Sequence, residues 1–421
     1  MKFDIIKRNI SWLILDRVFK AVIGFVTLTL LARYLGAEEY GKYSLIISIL
    51  SVCSAISALG MKDSLIHRFL EQKDGIDAVV YSAMVIRIAM SSVIFLLANL
   101  IMPLLRSNDN SFYLIFLIMS GVLFFQFNEV GKYYFEANIK YKSIVIIENF
   151  TLAAFLIIKA ILIYEDCTIF SIAIAHVLEA IIQSILILIV FKRSINFSVA
   201  NKLNIGLALS LIKESLPLLI SSLIIIITIH IDRIVYGYLM GDYYLGIFSV
   251  GSQLFIFAMS FISAAEISLY PNFIKNKNKQ LDMVKEIGRF YYLINCIQIV
   301  ILIISLLCSD RLIEIIFGGE YKSAATTLNS FLAANIFITF ARAFDQYFRV
   351  MKKFKYLFIR QLTILIIHFP LMVLLIPEIG VYAPAVSSAI SYVIVCLLTV
   401  VYGEDKREIR KLYKYSIGIN T

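Results

Sequence analysis

The apolar residues of this chain are concentrated in long blocks that short polar segments separate. Two block ends read SVIFLLANLIMPLL, at 92–105, and IIQSILILIVF, at 181–191. Blocks of about twenty apolar residues have the length of an α-helix that crosses a ~30 Å hydrocarbon core. The pattern therefore predicts an all-α polytopic membrane protein. Its twelve predicted transmembrane helices lie near 11–33, 43–61, 78–105, 112–131, 143–164, 168–191, 211–239, 244–270, 288–308, 323–348, 356–376 and 379–402.

Composition and charge agree with this interpretation and orient the chain. The sequence is 60% hydrophobic and 16% charged, with a mean hydropathy of +0.87. If both termini are cytoplasmic, 27 of the 39 Lys and Arg residues fall in inner segments or at the adjoining span ends, and five fall in outer segments or at the span ends beside them. This asymmetry is what the positive-inside rule requires. Anionic inner-leaflet lipid accounts for the net charge of +10, so we expect membrane lipids and no nucleic acid as partners.

Two pairs of similar segments indicate an internal repeat. LGAEEYGKYSL at 35–45 and MGDYYLGIFSV at 240–250 share Gly, Gly and Ser at the same spacing. FFQFNEVGKYYFEANIKYK at 124–142 also aligns with FITFARAFDQYFRVMKKFK at 337–355. In the first pair, we expect Gly36 and Gly241 to end helices, and Gly41 and Gly246 to allow close helix contact.

The offsets of both pairs are about half the chain length, so the repeat divides the protein into two six-helix lobes. We predict an N-terminal lobe at 1–205 and a C-terminal lobe at 206–421. An even number of spans per lobe makes the repeats parallel, related by an axis along the membrane normal. This arrangement is typical of carriers that work by alternating access, in which two bundles rock about a central site.

Ionisable residues inside the predicted spans mark candidate functional positions, because each costs about 2.5–3.5 kcal/mol to insert. The candidate substrate-binding cations are Arg17, Lys20, Arg87, Arg233 and Arg342. The candidates for proton or ion coupling are Asp16, His176, Glu179, His230, Asp232 and Asp345. His368 lies on span eleven, two residues before Pro370. Four further residues near span ends are expected to extend to the membrane interface: Glu129, Glu148, Lys159 and Glu266.

Local ion pairing is the alternative explanation for some of these charges. Asp16 and Lys20 have i,i+4 spacing and Arg342 and Asp345 have i,i+3 spacing, so either pair could be internal to one helix. Nearby acids do not obviously neutralise Arg17, Arg87 and Arg233 together. A wet cationic cavity would stabilise these guanidinium groups and would suit an anionic passenger, because Arg matches phosphate oxygens. His and acidic groups could instead titrate and couple transport to protons.

Three segments carry a resemblance to a known family. LLARYLGAEEYGKYSL, HIDRIVYGYLMG followed by LGIFSV, and IFGGEYKSAATTLNSFLAAN resemble the Wzx-type O-antigen flippases. These form the polysaccharide-transport branch of the multidrug/oligosaccharidyl-lipid/polysaccharide (MOP) exporter superfamily. The resemblance implies a V-shaped carrier with a cationic cavity, located in the bacterial inner membrane. It also implies translocation of an undecaprenyl-diphosphate-linked oligosaccharide to the periplasmic leaflet, with a polymerase and chain-length machinery as further partners.

Other protein classes fit the sequence less well. A lipid II flippase is similar to a fourteen-span chain, and a multidrug exporter of the MATE branch usually carries cations. An O-antigen polymerase would show a large outer loop, whereas every outer loop predicted here is short. The sequence has no paired carboxylates, nucleophile triad or phosphate-cradling glycine loop. We therefore expect a transporter without a cofactor or structural metal, coupled to H⁺ or Na⁺ if to any ion, rather than an enzyme.

Overall fold

The computed structural model describes residues 2–71, 75–106, 109–138, 141–194, 204–402 and 405–418. These residues are almost entirely helical and include no β-strand. The helices are α1 Lys2–Ser57, α2 Met61–Glu71, α3 Ile76–Leu105, α4 Asn110–Ser120, α5 Val122–Phe125, α6 Glu129–Ala137, α7 Lys142–Tyr164, α8 Ile169–Ser194, α9 Ile205–Met240, α10 Asp242–Lys275, α11 Gln280–Phe317, α12 Ala324–Val350, α13 Phe354–Ile379, α14 Ala383–Tyr402 and α15 Lys406–Ser416. Short 3₁₀ turns lie at Gln126–Asn128, Asn276–Asn278, Gly319–Tyr321 and Gly380–Tyr382.

The described part of the chain contains ten apolar helical stretches long enough to cross a membrane. Two of them, Asp16–Ser57 and Phe354–Val401, are 42 and 48 residues long. At 1.5 Å per residue each is at least about 60 Å long, roughly twice the hydrocarbon thickness. Gly36 interrupts the first with φ 72° and ψ 174°, and a 3₁₀ turn interrupts the second. Counting each as two spans gives the twelve that the sequence predicts.

The chain divides into two compact units, and the division falls inside a helix. Unit 1 comprises Met1–Leu35 and Lys42–His230, and unit 2 comprises Gly36–Gly41 and Ile231–Thr421. The predicted boundary between the lobes, 205/206, lies at the start of α9. The observed division between the units, His230/Ile231, lies further along the same helix.

Each unit has its own aromatic and aliphatic core, and the repeated segments contribute to both. In unit 1, Phe135 is 2% exposed and packs beside Tyr134 in a cluster with residues of α2, α3 and α8. In unit 2, Phe348 is also 2% exposed and packs beside Tyr347 with residues of α10, α11 and α15. The two aromatic pairs occupy matching positions of the aligned segments, so the repeat read from the sequence has equivalent packing roles.

The glycines of the shorter repeat bring two backbones into contact within unit 2. A Cβ added to Gly41 would lie 1.9 Å from the carbonyl oxygen of Asp242, and one added to Gly246 would lie 1.9 Å from that of Ala37. Neither position has space for any side chain. Gly241 separates α9 from α10 with φ 84°, a conformation that L-residues rarely adopt. The predicted glycine roles are confirmed at these positions.

Candidate functional site

Unit 1 contains a four-residue ion-pair network, here called the Lys20 network, formed by Asp16, Lys20, Lys132 and Glu148. Lys20 Nζ lies 2.9 Å from Asp16 Oδ2 and 2.5 Å from Glu148 Oε2. Lys132 Nζ lies 2.5 Å from the other oxygen, Glu148 Oε1. The i,i+4 pair predicted on α1 is thus present. Glu148 was expected to extend to the interface, which is wrong, because it is only 4% exposed and bridges two lysines.

The neighbouring Arg17 differs from the residues of this network. Its side chain is exposed on α1, and no carboxylate among the described residues lies within ion-pair distance of it. Because Asp16, Lys20, Lys132 and Glu148 carry two positive and two negative charges, they neutralise one another. Arg17 therefore contributes an uncompensated positive charge beside a neutral network.

Arg87, the third predicted cation of unit 1, has an acidic partner. Its side chain is 2% exposed, and its Nη2 donates to Glu129 Oε2 and, at 3.3 Å, to the Gln126 carbonyl. Tyr133 donates a further hydrogen bond to Glu129 at 3.1 Å. Glu129 was predicted to reach the interface, and its pairing with Arg87 corrects that prediction. Arg87 Nε and Nη1 are buried with no hydrogen-bond partner among the described residues.

Two predicted coupling residues of unit 1 lie on α8. Glu179 accepts a 2.7 Å hydrogen bond from Lys159, whose side chain is 7% exposed. Lys159 was also expected to extend to the interface, and this pair is the reason that it does not. His176 lies one turn earlier and packs edge-on against Tyr43, with 6.5 Å between ring centroids. Glu179 is therefore a charged partner of Lys159, whereas His176 belongs to an aromatic contact.

The cation of unit 2 with the most distinctive surroundings is Arg233 on α9. It is 8% exposed, and its Nη2 donates to Gln253 Oε1 at 2.8 Å and to Ser252 Oγ at 3.3 Å. Both partners are neutral, and the described residues place no carboxylate within ion-pair distance of this guanidinium. A buried charge without a counter-ion is costly. An anionic ligand that accepts hydrogen bonds from Nε and Nη1 would compensate this charge.

The two charged residues predicted on span ten are not paired with each other. Asp345 Oδ1 accepts from Arg360 Nε at 2.8 Å, and both residues are 5% exposed. Arg360 also donates to the Ala341 carbonyl at 3.1 Å and to the Thr399 hydroxyl. The i,i+3 pairing of Arg342 and Asp345 is therefore wrong.

Arg342 instead lies near another acid, Glu266. Its Nη1 is 4.0 Å from Glu266 Oε1, and its side chain is 31% exposed. Glu266 also accepts a 3.1 Å hydrogen bond from Tyr291, so it does not extend freely to the interface as predicted. At this distance and exposure, the Arg342–Glu266 pair contributes little to stability. Arg342 is consequently available to an anionic ligand.

The remaining predicted coupling residues lie on α9 beside Arg233. His230 is half-buried at the end of unit 1. Asp232 Oδ1 lies 2.7 Å from Nε2 of His368 on α13, within unit 2. The ring of His368 is 2% exposed, and its Nδ1 lies 3.0 Å from the Ser387 hydroxyl. The structure thus joins a predicted residue, Asp232, to a histidine whose role the sequence left unassigned.

Several residues of these networks escaped sequence analysis. Lys132 and Arg360 were counted only as basic residues of an inner loop and of a span, and Gln253 was not considered at all. Their partners lie 15 to 20 residues away on another helix. One signal in the sequence could have found them. Each of the three lies on a span or at its end, and the neighbouring span carries a charged residue at a similar depth.

Comparison with known proteins identifies the family of the chain. A family described as polysaccharide biosynthesis protein matches residues 6–277, more than half of the chain. The chain belongs to this family. It is also 24% identical, over 109 residues, to the succinoglycan biosynthesis transport protein ExoT of Rhizobium meliloti (strain 1021). That match covers 26% of this chain and 22% of the length of ExoT.

Solved structures with the same fold are flippases and exporters. The lipid II flippase MurJ in an inward closed conformation matches with a TM-score of 0.79 and 13% identity, covering 96% of this chain and 89% of MurJ. An inward-facing multidrug resistance MATE family transporter of the MOP superfamily matches with a TM-score of 0.74 and 11% identity, covering 95% and 96%. The chain thus shares the fold of these two solved transporters.

Proposed function

We propose that this protein is a flippase for undecaprenyl-diphosphate-linked repeat units of O-antigen or a related polysaccharide. It would act by alternating access between the lobes 1–205 and 206–421, from the cytoplasmic to the periplasmic leaflet of the bacterial inner membrane. Both termini would be cytoplasmic, and a polymerase with chain-length machinery would use the product. Membership of the polysaccharide biosynthesis family and the fold shared with a lipid II flippase support this proposal.

The observation that carries the proposal is the state of Arg233. A buried guanidinium that donates hydrogen bonds to Gln253 and Ser252, with no carboxylate at ion-pair distance among the described residues, is suited to a diphosphate. Arg17 and Arg342, which are exposed or weakly paired, would bind further phosphate or sugar oxygens. Lys20 and Arg87 would contribute by exchanging an acidic partner for the substrate.

A multidrug exporter of the MATE type shares the fold but is the weaker candidate. Its passengers are usually cations, which an uncompensated Arg233 would repel. Coupling to H⁺ or Na⁺ would require titratable or oxygen-bearing groups in the spans, and Asp16, His176, Glu179, His230, Asp232 and Asp345 remain the candidates from the sequence. Their surroundings differ: Glu179 and Asp345 are tied to Lys159 and Arg360, whereas Asp232 is paired with a histidine.

The test is to delete the gene and to locate the lipid-linked oligosaccharide with a lectin in inside-out and right-side-out membrane vesicles. We expect single repeat units on the cytoplasmic leaflet and loss of surface polysaccharide. Repeat units that reach the periplasmic leaflet unpolymerised would identify a polymerase instead. Unchanged surface polysaccharide would favour the exporter.

Complementation of the deletion strain then tests the role of Arg233. We expect Arg233→Ala to reduce export about tenfold or more, because one charge-assisted hydrogen bond contributes about 1.5–3 kcal/mol. Arg233→Lys should retain part of the activity, since it keeps the charge but loses the planar fork. Arg311→Ala is the matched control, because Arg311 is an exposed arginine of the same unit. Equal export by Arg233→Ala and Arg311→Ala would refute the role of Arg233.

A further inference from the structure

A buried hydrogen-bonded chain in unit 2 connects three helices through one histidine. Asp232 of α9 contacts Nε2 of His368 on α13 at 2.7 Å, and Ser387 of α14 contacts Nδ1 at 3.0 Å. The Ser387 hydroxyl also lies 3.1 Å from the carbonyl oxygen of Pro384. His368 is 2% exposed and Ser387 is fully buried, whereas the Asp232 side chain is 14% exposed. The carboxylate is therefore the end of the chain that is nearest to water.

The hydrogen-bonding capacity of these four groups determines how many protons the chain can hold. Ser387 has one hydroxyl hydrogen. If this hydrogen goes to the Pro384 carbonyl, the Ser387 oxygen must accept a hydrogen from His368 Nδ1. When Asp232 is ionised, the hydrogen in its 2.7 Å contact with Nε2 also belongs to the ring, which is then an imidazolium facing a carboxylate.

The same positions of the heavy atoms satisfy a second state that has one proton fewer. In that state the Ser387 hydroxyl rotates from the Pro384 carbonyl to donate to the bare Nδ1 of His368. Nε2–H still donates to the Asp232 carboxylate, so no buried group of the chain loses its partner. The two states differ by the proton on Nδ1, and rotation of the serine hydroxyl compensates for its loss.

We propose that Asp232, His368 and Ser387 form a one-proton binding site that couples the transport cycle to protons. This inference rests on the proposed flippase function, whose passenger it does not change. When the proton is bound, the contact between α9 and α13 is an ion pair between an imidazolium and a carboxylate, and when it is released the contact is a hydrogen bond from a neutral ring to a carboxylate. Proton binding therefore strengthens the connection between these two helices.

Of the charged groups around the site, Asp232 is the acid that faces the His368 ring. Arg233 is adjacent on α9, and Tyr392 of α14 lies within electrostatic range of Asp232, Asp345, Arg342 and Arg360. Asp345 and Arg360 are paired at 2.8 Å and neutralise each other. Arg342 lies near Glu266. Among these described groups, only Asp232 contacts the imidazole of His368, and an adjacent carboxylate stabilises the imidazolium.

The direct test is nuclear magnetic resonance of ¹⁵N-histidine in the full chain, in lipid nanodiscs, from about pH 5 to pH 9, a range around the ordinary histidine pKa. The variant His67→Gln/His176→Gln/His230→Gln leaves His368 as the only histidine of the four in the sequence. We expect an imidazolium signal at the acidic end and the neutral Nε2–H tautomer at the alkaline end. If the triple variant does not fold, the difference between wild-type and His368→Gln spectra gives the same information.

Two variants test the partners of the ring. In Asp232→Asn, the imidazolium signal should be lost over the same pH range. In Ser387→Ala, the neutral ring should no longer appear as the same Nε2–H species, because Nδ1 loses its donor. A ring that stays neutral in one tautomer throughout the range in the wild type would overturn the proposal, as would an imidazolium signal unaffected by Asp232→Asn.

Transport in proteoliposomes separates this inference from the proposed function. The probe is the lipid-linked oligosaccharide that accumulates in the deletion strain, detected by a lectin in the outer leaflet. Coupling to one proton predicts that each unit of pH gradient changes the steady-state ratio between leaflets about tenfold, and that His368→Gln abolishes this response. Wild-type transport that ignores the gradient would overturn the proton site alone. Absence of any wild-type transport by folded protein would overturn the flippase function instead.

Discussion

At the scale of single residues, the Arg360–Asp345 pair shows how a buried charge is retained within a span. Both side chains are 5% exposed, and Arg360 contributes hydrogen bonds to Asp345, to the Ala341 carbonyl and to Thr399. Its guanidinium also lies over the ring of Phe344, 5.5 Å from the centroid. Removing one partner of such a pair leaves the other charge buried without compensation.

We expect Arg360→Met to destabilise the protein by about 3–5 kcal/mol, the range for breaking a buried pair. Thermal unfolding in detergent, followed by fluorescence-detected size exclusion, measures the loss. Arg342→Met is the matched control on the neighbouring helix: its pair with Glu266 spans 4.0 Å and its side chain is 31% exposed, so the loss should stay below about 1 kcal/mol. Equal losses in the two variants would contradict this account of Arg360.

Asp109, in the short connection before α4, is a charged residue outside the membrane-spanning segments. Burial by itself would raise the pKa of its carboxyl group. Hydrogen bonds from the Phe112 amide at 3.0 Å and the Ser111 hydroxyl at 2.8 Å, with the charges of Lys42 and Arg106, outweigh burial and lower the pKa. Since the pKa is lowered on folding, the ionised group stabilises the native state above its ordinary pKa. This stabilisation is lost as the pH falls through the folded pKa.

The comparison of wild type with Asp109→Asn therefore depends on pH. Asn also caps helices well, so the variant keeps the cap and loses only the charge. At pH 6 the wild type should unfold at the higher temperature, and the difference should shrink as the pH falls below about 4, the ordinary pKa of Asp. A difference that stays constant from pH 6 to the acid end would show that the charge of Asp109 has no role.

At the scale of elements, the glycine repeat makes a sharper prediction than any charged residue. Because a Cβ at Gly41 or Gly246 would lie 1.9 Å from a backbone carbonyl oxygen, no rotamer change can relieve the clash. We expect Gly41→Ala and Gly246→Ala each to cost about 1–3 kcal/mol or more, the range for overpacking. Gly24→Ala is the control, since nothing lies within 4 Å of its added Cβ. Unfolding temperatures that are equal in all three variants would refute the close contact.

The same elements show what the sequence could predict and what it could not. Spacing located the helices, the interruption at Gly36 and the local pair of Asp16 with Lys20, because these depend on neighbours within one or two turns. It could not pair Lys20 with Glu148, because the 128 residues between them leave the partner undetermined until the helices pack. His368 was visible as a polar residue in a span, but its partner Asp232 is 136 residues away. Sequence analysis thus predicted the fold and most charged positions, but not the pairings between distant helices.

At the scale of the whole molecule, the distribution of basic residues predicts the orientation in the membrane. The α7–α8 hairpin tests it, because α7 ends at Tyr164 and α8 ends at Ser194 beside Lys192 and Arg193. α8 has 26 residues, about 39 Å at 1.5 Å per residue, so its two ends lie on opposite sides of a ~30 Å hydrocarbon core. Tyr164 is 85% exposed and Ser194 is also exposed, so a cysteine at either position is accessible to a reagent.

Tyr164→Cys and Ser194→Cys, each in a chain whose five native cysteines are replaced by Ser, form a matched pair. A maleimide that cannot cross membranes should label Tyr164→Cys in intact spheroplasts, and Ser194→Cys only after permeabilisation. This result follows because Lys192 and Arg193 keep the end of α8 on the cytoplasmic side. The reverse pattern would invert the chain. In the predicted orientation, Arg17 lies in the cytoplasmic half of its span. In an inverted chain it would lie in the periplasmic half. A flippase that takes up repeat units from the cytoplasmic leaflet would then lack this cation on the side where its substrate enters.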